Sequence, residues 1–340
     1  MSGPPEFPET PKRAADQRLT GYRFVIGGLV ALLGLGAGLN LFAFGPVTPL
    51  IIDEYGINHS TAGLLASLGF LVHGGSAIPS SMLVGRVGLK KLIFIGAVLG
   101  AAPLLSVFAD SFAFLLMLRA VHGLSFAIIF PAIGPLLLQW FGRRELPLAN
   151  GIFMTVGGAG MAISTFAVVP LTDVLDWKAA LSVFGGVSLL GAVCWLVLGR
   201  VQSGVDENES RLPIGRAWGV VRDRNTLLLA IADAGPFALL TVALAWLPTF
   251  YHEVHGISLA TAGTLMGLLS SAGVVSLVAA SLLALRVRRR RPFLIVPGVL
   301  AGFAGFGSFL LADSAGVYVA LLALGFGEYI GMRTHAERFR

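Results

Sequence analysis

Five polar or ionisable side chains stand inside stretches that are otherwise apolar: Asn40, His73, Arg119, His122 and Asp233. An Arg or Asp at the centre of a membrane helix costs on the order of 2.5–3.5 kcal/mol, so each such residue needs a reason to be there. Arg119 lies about seven residues into its run, ~10 Å deep at ~1.5 Å per residue, too deep for easy escape to the surface. His122 and Gly123 follow at i+3 and i+4 and share its helical face. A buried guanidinium presents a fork of donors to an anion, and an imidazole beside it can exchange a proton near neutrality. The same residues could serve structure alone, with Arg119 satisfied by carbonyls of a neighbouring helix and His122 packed beside glycine. His73, near Gly74 and Gly75, is either a titrating group or a hydrogen-bonded core histidine. Asn40 is either a substrate contact or a bridge between helices. Asp233, just before Gly235 and Pro236, either couples a proton or extends toward the nearer interface.

The elements that must position these groups follow from composition. Hydrophobic residues make up 56% of the 340-residue chain and charged residues 12%. A soluble domain carries roughly 25% charge, so this chain lacks the polar surface to face water all round. Apolar runs long enough to cross a bilayer, about 20 residues each, occur near 24–46, 61–84, 90–109, 112–139, 147–170 and 178–199. Four more follow near 226–250, 260–285, 292–312 and 315–332. Helices are expected, because an unclosed strand would leave backbone groups unsatisfied in lipid. The expected fold is therefore all-α: a polytopic membrane protein with a six-helix bundle, an incomplete second bundle, and about ten transmembrane helices.

The charge of +6 could suggest nucleic acid, but it is confined to short segments between apolar runs. With the N-terminus inside, the inner segments hold nineteen Lys and Arg and the outer loops hold only Lys178. The outer loops are acidic: Asp53, Glu54, Asp110, Asp173, Asp176, Glu253 and Asp313. That asymmetry predicts orientation, with both termini cytosolic and the chain in the plasma (inner) membrane. Residues 1–22, polar and holding Pro4, Pro5, Pro8 and Pro11, read as a disordered cytosolic tail rather than a signal peptide. The units that follow are a bundle over 23–200, a cytosolic linker over 201–225, a four-helix bundle over 226–332 and a charged tail over 333–340. The lone Cys194 excludes a disulfide framework and a cysteine-based metal site. Neither HExxH, nor a pair of intramembrane Asp residues, nor an Asp-rich metal site is present, so an enzyme, a metal and a cofactor are not expected. The Gly157, Gly158 and Gly160 run sits within a span and predicts close helix packing. Trp246, Phe250 and Tyr251 read as residues of the interfacial belt.

The chain also repeats itself. YGINHSTAG (55–63) and HGISLATAG (255–263) share Gly, Ile, Thr, Ala and Gly at an interval of 200 residues. Leu65 and Leu68 recur as Leu265 and Leu268, and SMLVGRVGLKK (81–91) faces SLLALRVRRRR (281–291). A repeat of several spans in the same orientation is a transporter architecture.

These features resemble the major facilitator superfamily. Its basic-loop motif is matched by Ser81, Gly85, Arg86, Gly88, Lys90 and Lys91, with Gly85 where the family has Asp and Ser81 where it has Gly. Its fourth-helix motif is matched by Arg119, Gly123 and Ser125, with Ser in place of the last Gly. WFGRRELPLANGI (140–152) and DWKAAL (176–181) also look like family stretches. The resemblance covers about residues 24–325 and implies two six-helix halves that rock about a central site. TPLIIDEYGI, STAGLL and ANGI look most like the cyanate, nitroimidazole and nitrate/nitrite porter branches, which implies proton-coupled uptake of a small anion. The alternative is an exporter of amphipathic compounds, although GGAGMAIS (157–164) lacks the Gly-Pro signature of proton-antiporting exporters. Counterparts of helices five and six are expected in the second half and do not follow, so the sequence reads as truncated, and a non-functional fragment is a further alternative. The expected partners are lipid, a small-molecule substrate and protons, with no nucleic acid, and the expected state is a monomer.

Overall fold

The computed structural model describes residues 21–142, 145–202, 222–284, 292–311 and 315–325. The tail, Arg143 and Arg144, most of the linker, the basic run 285–291, Glu328 and the residues after it lie outside the described residues, as do the surroundings of Gly85 and the side chain of Asp233.

Among the described residues the chain is helical and no strand forms. Helix α1 spans Tyr22–Leu41, and a 3-10 turn at Gly45–Val47 leads to α2, Thr48–Tyr55. A short turn, α3 (His59–Ala62), opens α4, Leu64–Val87. Helix α5 runs Leu89–Gly100 and passes into a 3-10 segment, Ala102–Phe108. Then come α6 (Phe112–Trp140), α7 (Leu146–Thr172) and α8 (Trp177–Leu198). The second half holds α9 (Arg224–His255), α10 (Leu259–Ala284), α11 (Pro292–Leu310) and α12 (Gly316–Gly325). Among the described residues eight stretches are long and apolar enough to cross a membrane, and two shorter apolar helices, Val299–Leu310 and Gly316–Gly325, follow.

Two expected straight spans are broken, each at a proline. Pro46 lies within the first 3-10 turn and Pro103 opens the second. A ring nitrogen cannot donate, so the backbone tightens to i+3 bonds there, as in Leu104 N–H to the Ala101 carbonyl at 2.9 Å. The expected basic loop is also shorter than read. Arg86 lies in the last turn of α4, while Lys90 and Lys91 lie in the first turn of α5, leaving Gly88 as the turn itself. Its φ of 83° is one that a side chain would resist.

The repeat has a local physical cause. Gly56 and Gly256 both end a helix in the left-handed region, with φ of 59° and 65°. Two residues later Asn58 and Ser258 each accept a hydrogen bond from the amide of Thr61 and Thr261, at 2.8 and 3.2 Å, and so cap the next helix. The shared letters therefore encode one helix stop and one helix start, used once in each half.

Glycines set the helix crossings. Gly160 of α7 lies against the backbone of Leu35 and Leu39 in α1, and Gly158 against Val274 of α10, where an added methyl would stand 3.1 Å from the valine. Helix α7 is thus held between α1 of its own half and α10 of the other. The halves also meet where Gly45 touches the backbone of Leu244 and where the Phe70 and Phe237 rings meet edge to face at 5.5 Å. These contacts run from mid-depth to the end that carries the acidic loops. At that end His59 Nε2 pairs with Glu253 Oε2 at 2.7 Å, closing one half onto the other. Tyr251 does not stand in an interfacial belt: it is fully buried, and its hydroxyl donates to the Ser308 carbonyl of α11 at 2.9 Å.

Candidate functional site

Helices α1, α4 and α6 come together around Arg119. The crossing of α4 and α6 is possible because Gly69 faces Gly123: a methyl on Gly123 would overlap the Gly69 carbonyl. That brings the backbones close and leaves a small cavity beside the crossing, lined by Phe44, Phe70, His73, Arg119, His122 and Phe126 among others. Its volume is about 20 Å³, room for roughly one water molecule.

Arg119 is 6% exposed. Its Nη1 donates to the Asn40 carbonyl at 2.9 Å, and its Cζ lies 4.3 Å from the centre of the Phe44 ring. Among the described residues Arg23 pairs with Glu145 and Lys178 with Glu54, His59 contacts Glu253 in a pair that is ionic only when the imidazole is protonated, and none of these includes Arg119. A buried cation with a neutral carbonyl and a ring for partners keeps an incomplete set of acceptors. His122 is 4% exposed, and its Nε2 is buried without a hydrogen-bond partner. Its ring meets Phe126 edge to face at 5.2 Å. His73 is half-buried, 5.9 Å from Phe126 and 6.1 Å from Phe130 between ring centres.

The structure thus gathers Arg119, His122 and His73 into one cavity. Asn40 contributes differently. Its amide donates to the Gly36 and Phe184 carbonyls and to Ser188 Oγ at 2.9–3.0 Å, which ties α1 to α8. What it presents to the cavity side is its own carbonyl, on Arg119. The fourth-helix residues divide their work in the same way. Arg119 faces the cavity, Gly123 allows the helix crossing, and Ser125 donates to the Gly96 carbonyl at 2.7 Å and holds α6 to α5. In the basic segment the Ser81 hydroxyl donates to the Ile78 carbonyl of its own helix at 2.7 Å, and the Lys90 carbonyl accepts from Trp195 Nε1 at 3.0 Å. Arg86, Lys90 and Lys91 are exposed.

Sequence reasoning missed the acidic-end ties. Glu54 accepts from Trp177 Nε1 at 2.5 Å and pairs with Lys178 at 2.6 Å, so that lysine is neutralised within its own half. The His59–Glu253 pair had one sequence signal: position 59 carries His where its repeat partner, position 259, carries Leu.

The sequence profile described as Major Facilitator Superfamily matches residues 30–334. The chain belongs to the major facilitator superfamily. A D-galactonate transporter of Escherichia coli is 24% identical over 311 residues, covering 81% of this chain and 71% of the relative. A probable sulfoacetate transporter of Cupriavidus necator is 27% identical over 285 residues, covering 79% of this chain and 66% of the relative. Among solved structures, a bacterial homologue of the human lysosomal transporter Spinster, in an inward-facing and unoccupied conformation, superposes with a TM-score of 0.74 at 16% identity, covering 93% of this chain and 74% of that one. This superfamily member is thus a multi-pass membrane protein and a transporter of small molecules, not an enzyme.

Proposed function

We propose that the chain is a secondary active carrier that takes up a small anion by alternating access, with protons as the coupling ion. The observation that carries the anion assignment is Arg119, a buried guanidinium paired with no carboxylate among the described residues. A charge buried in this way is costly until a counter-charge arrives. Two relatives are named for carboxylate-bearing substrates, galactonate and sulfoacetate, and the repeat motifs resemble those of the cyanate and nitrate/nitrite porters. Both lines support an anion. His122 and His73 line the same cavity and are the candidates for proton coupling, with Asp233 on α9 as a third.

In this reading the basic end of the bundle faces the cytosol of the plasma membrane, as the placement of Lys and Arg favours. The halves meet at the opposite end, so the conformation is closed to the outside. The carrier works as a monomer, with both termini cytosolic.

The test is flux in proteoliposomes holding purified protein. A pH gradient, acidic outside, is expected to drive uptake of a labelled anion by wild type, and Arg119→Ala is expected to abolish it. Equal flux in the two would overturn the role of Arg119. Flux that ignores the pH gradient would overturn proton coupling and leave the anion site standing.

A further inference from the structure

We propose that two hydroxyls buried between the halves, Thr249 Oγ1 and Ser270 Oγ, keep the closed state from becoming too stable, because they lose water on closure and gain no partner. This device acts on the equilibrium between conformations, whatever the substrate.

Among the described residues three buried polar side-chain atoms have no hydrogen-bond partner: His122 Nε2, Thr249 Oγ1 and Ser270 Oγ. The first belongs to the Arg119 cavity. The other two belong to the second half, on the helix faces that meet the first. In α10, an added methyl on Gly263 would meet Thr165 and Val169 of α7, one on Gly267 would overlap the Phe166 ring, and Val274 packs on Gly158. Ser270 stands three residues after Gly267 and four before Val274, so it lies in the same stripe. It is fully buried. In α9, the Ala245 Cα lies beside Gly45, and Glu253 contacts His59. Thr249 is four residues from each and 2% exposed.

A serine or threonine inside a helix commonly returns its hydroxyl to a carbonyl of the preceding turn. Other hydroxyls of the same two helices do this. Thr241 donates to the Phe237 carbonyl at 2.8 Å, and Thr264 to the Ala260 carbonyl at 2.9 Å. Thr249 and Ser270 do not. The sequence adds a third polar group to the same interface. Pro248 has no N–H, so the Leu244 carbonyl lacks the donor that an α-helix supplies from four residues on. That carbonyl is the group that abuts Gly45.

An apolar seam gains from every contact made on closure. A buried hydroxyl without a partner offsets that gain, since it gives up its hydrogen bonds to water. Parting the halves returns water to both hydroxyls and to the Leu244 carbonyl. A carrier must reopen on every cycle, and the close glycine contacts alone favour staying shut.

The experiment is thiol accessibility in the purified full chain, with Val169→Cys as reporter in a Cys194→Ser background. Val169 is 5% exposed and packs against Gly263 across the interface, so a polar thiol reagent reaches position 169 when the halves part. At limiting reagent the modification rate tracks the open fraction. Thr249→Val and Ser270→Ala each remove a hydroxyl and keep most of the shape. Each is expected to slow modification about fivefold or more, and the two together to slow it further. Thr241→Val, whose hydroxyl already has a partner, is expected to leave the rate unchanged. Faster modification in Thr249→Val or Ser270→Ala would mean that the hydroxyls hold the halves together, and would overturn the proposal. An unchanged rate in both would overturn it as well, and so would an equal slowing in Thr241→Val. If one variant fails to melt cooperatively, the other carries the test.

Discussion

Gly45 is where a single methyl group should unsettle the balance between conformations. It sits in the 3-10 turn after α1, and the three atoms nearest to a methyl added there all belong to Leu244 and Ala245 of the second half. The Leu244 carbonyl lies far inside the 3.4 Å of ordinary contact, and backbone cannot rotate away as a side chain can. Gly45→Ala therefore overpacks the closed interface, at a cost of roughly 1–3 kcal/mol if relaxation is partial. The open state separates these backbones and bears none of that cost. A difference of this size changes a two-state ratio by about 5- to 150-fold. The assay is a spin-label distance measurement between Val174→Cys and Val254→Cys, both exposed at the acidic end, in a Cys194→Ser background. Gly45→Ala should move the distribution toward longer distances while the melting temperature in detergent changes little. An unchanged distribution would refute the claim that this contact holds the halves closed. A large loss of stability would show that the clash is borne within the first half instead.

Three further outcomes follow from the geometry. Glu253→Gln weakens a partly exposed His–carboxylate contact across the same interface, worth about 0.2–1 kcal/mol when His59 is protonated, so under those conditions it should open the acidic end by about twofold and the effect should fade in high salt. Asn40→Leu leaves the Phe184 carbonyl and Ser188 without their donor, and melting should report a loss of about 1–3 kcal/mol. Gly88→Ala forces a side chain into a φ of 83°, so it should destabilise by about 1–3 kcal/mol, seen as a lower melting temperature with no change in ligand selectivity.

The long helices, their order and the repeat were legible because lipid imposes one solution on a long apolar run. The repeat in particular was visible as letters and proved to be a cap pair, since Gly56 and Asn58 do the same work as Gly256 and Ser258. The breaks at Pro46 and Pro103 were less legible, because hydropathy continues across them while the hydrogen-bond ladder does not. At the site, burial of Arg119 could be expected from depth alone, and its partnership with the Asn40 carbonyl could not. Backbone acceptors have no sequence signature. Asn40 shows the same limit from the other side: its amide points to α8, a choice set by where Ser188 and the Phe184 carbonyl fall after packing. Sequence left both uses of that residue open, and only packing separates them. The His59–Glu253 pair joins positions 194 apart whose meeting depends on how the halves dock.

The eight residues from Asn40 to Val47 have a consequence for how variants of this protein should be interpreted. They begin with the carbonyl that holds Arg119, continue through Phe44, which covers the guanidinium, and reach Gly45, which touches the second half one residue later. Ligand recognition and interdomain closure thus share one short piece of backbone. A substitution there cannot be sorted cleanly into affinity or turnover. KM and maximal rate should shift as a correlated pair, and epistasis between this stretch and α9 should exceed that between either one and the rest of the first half.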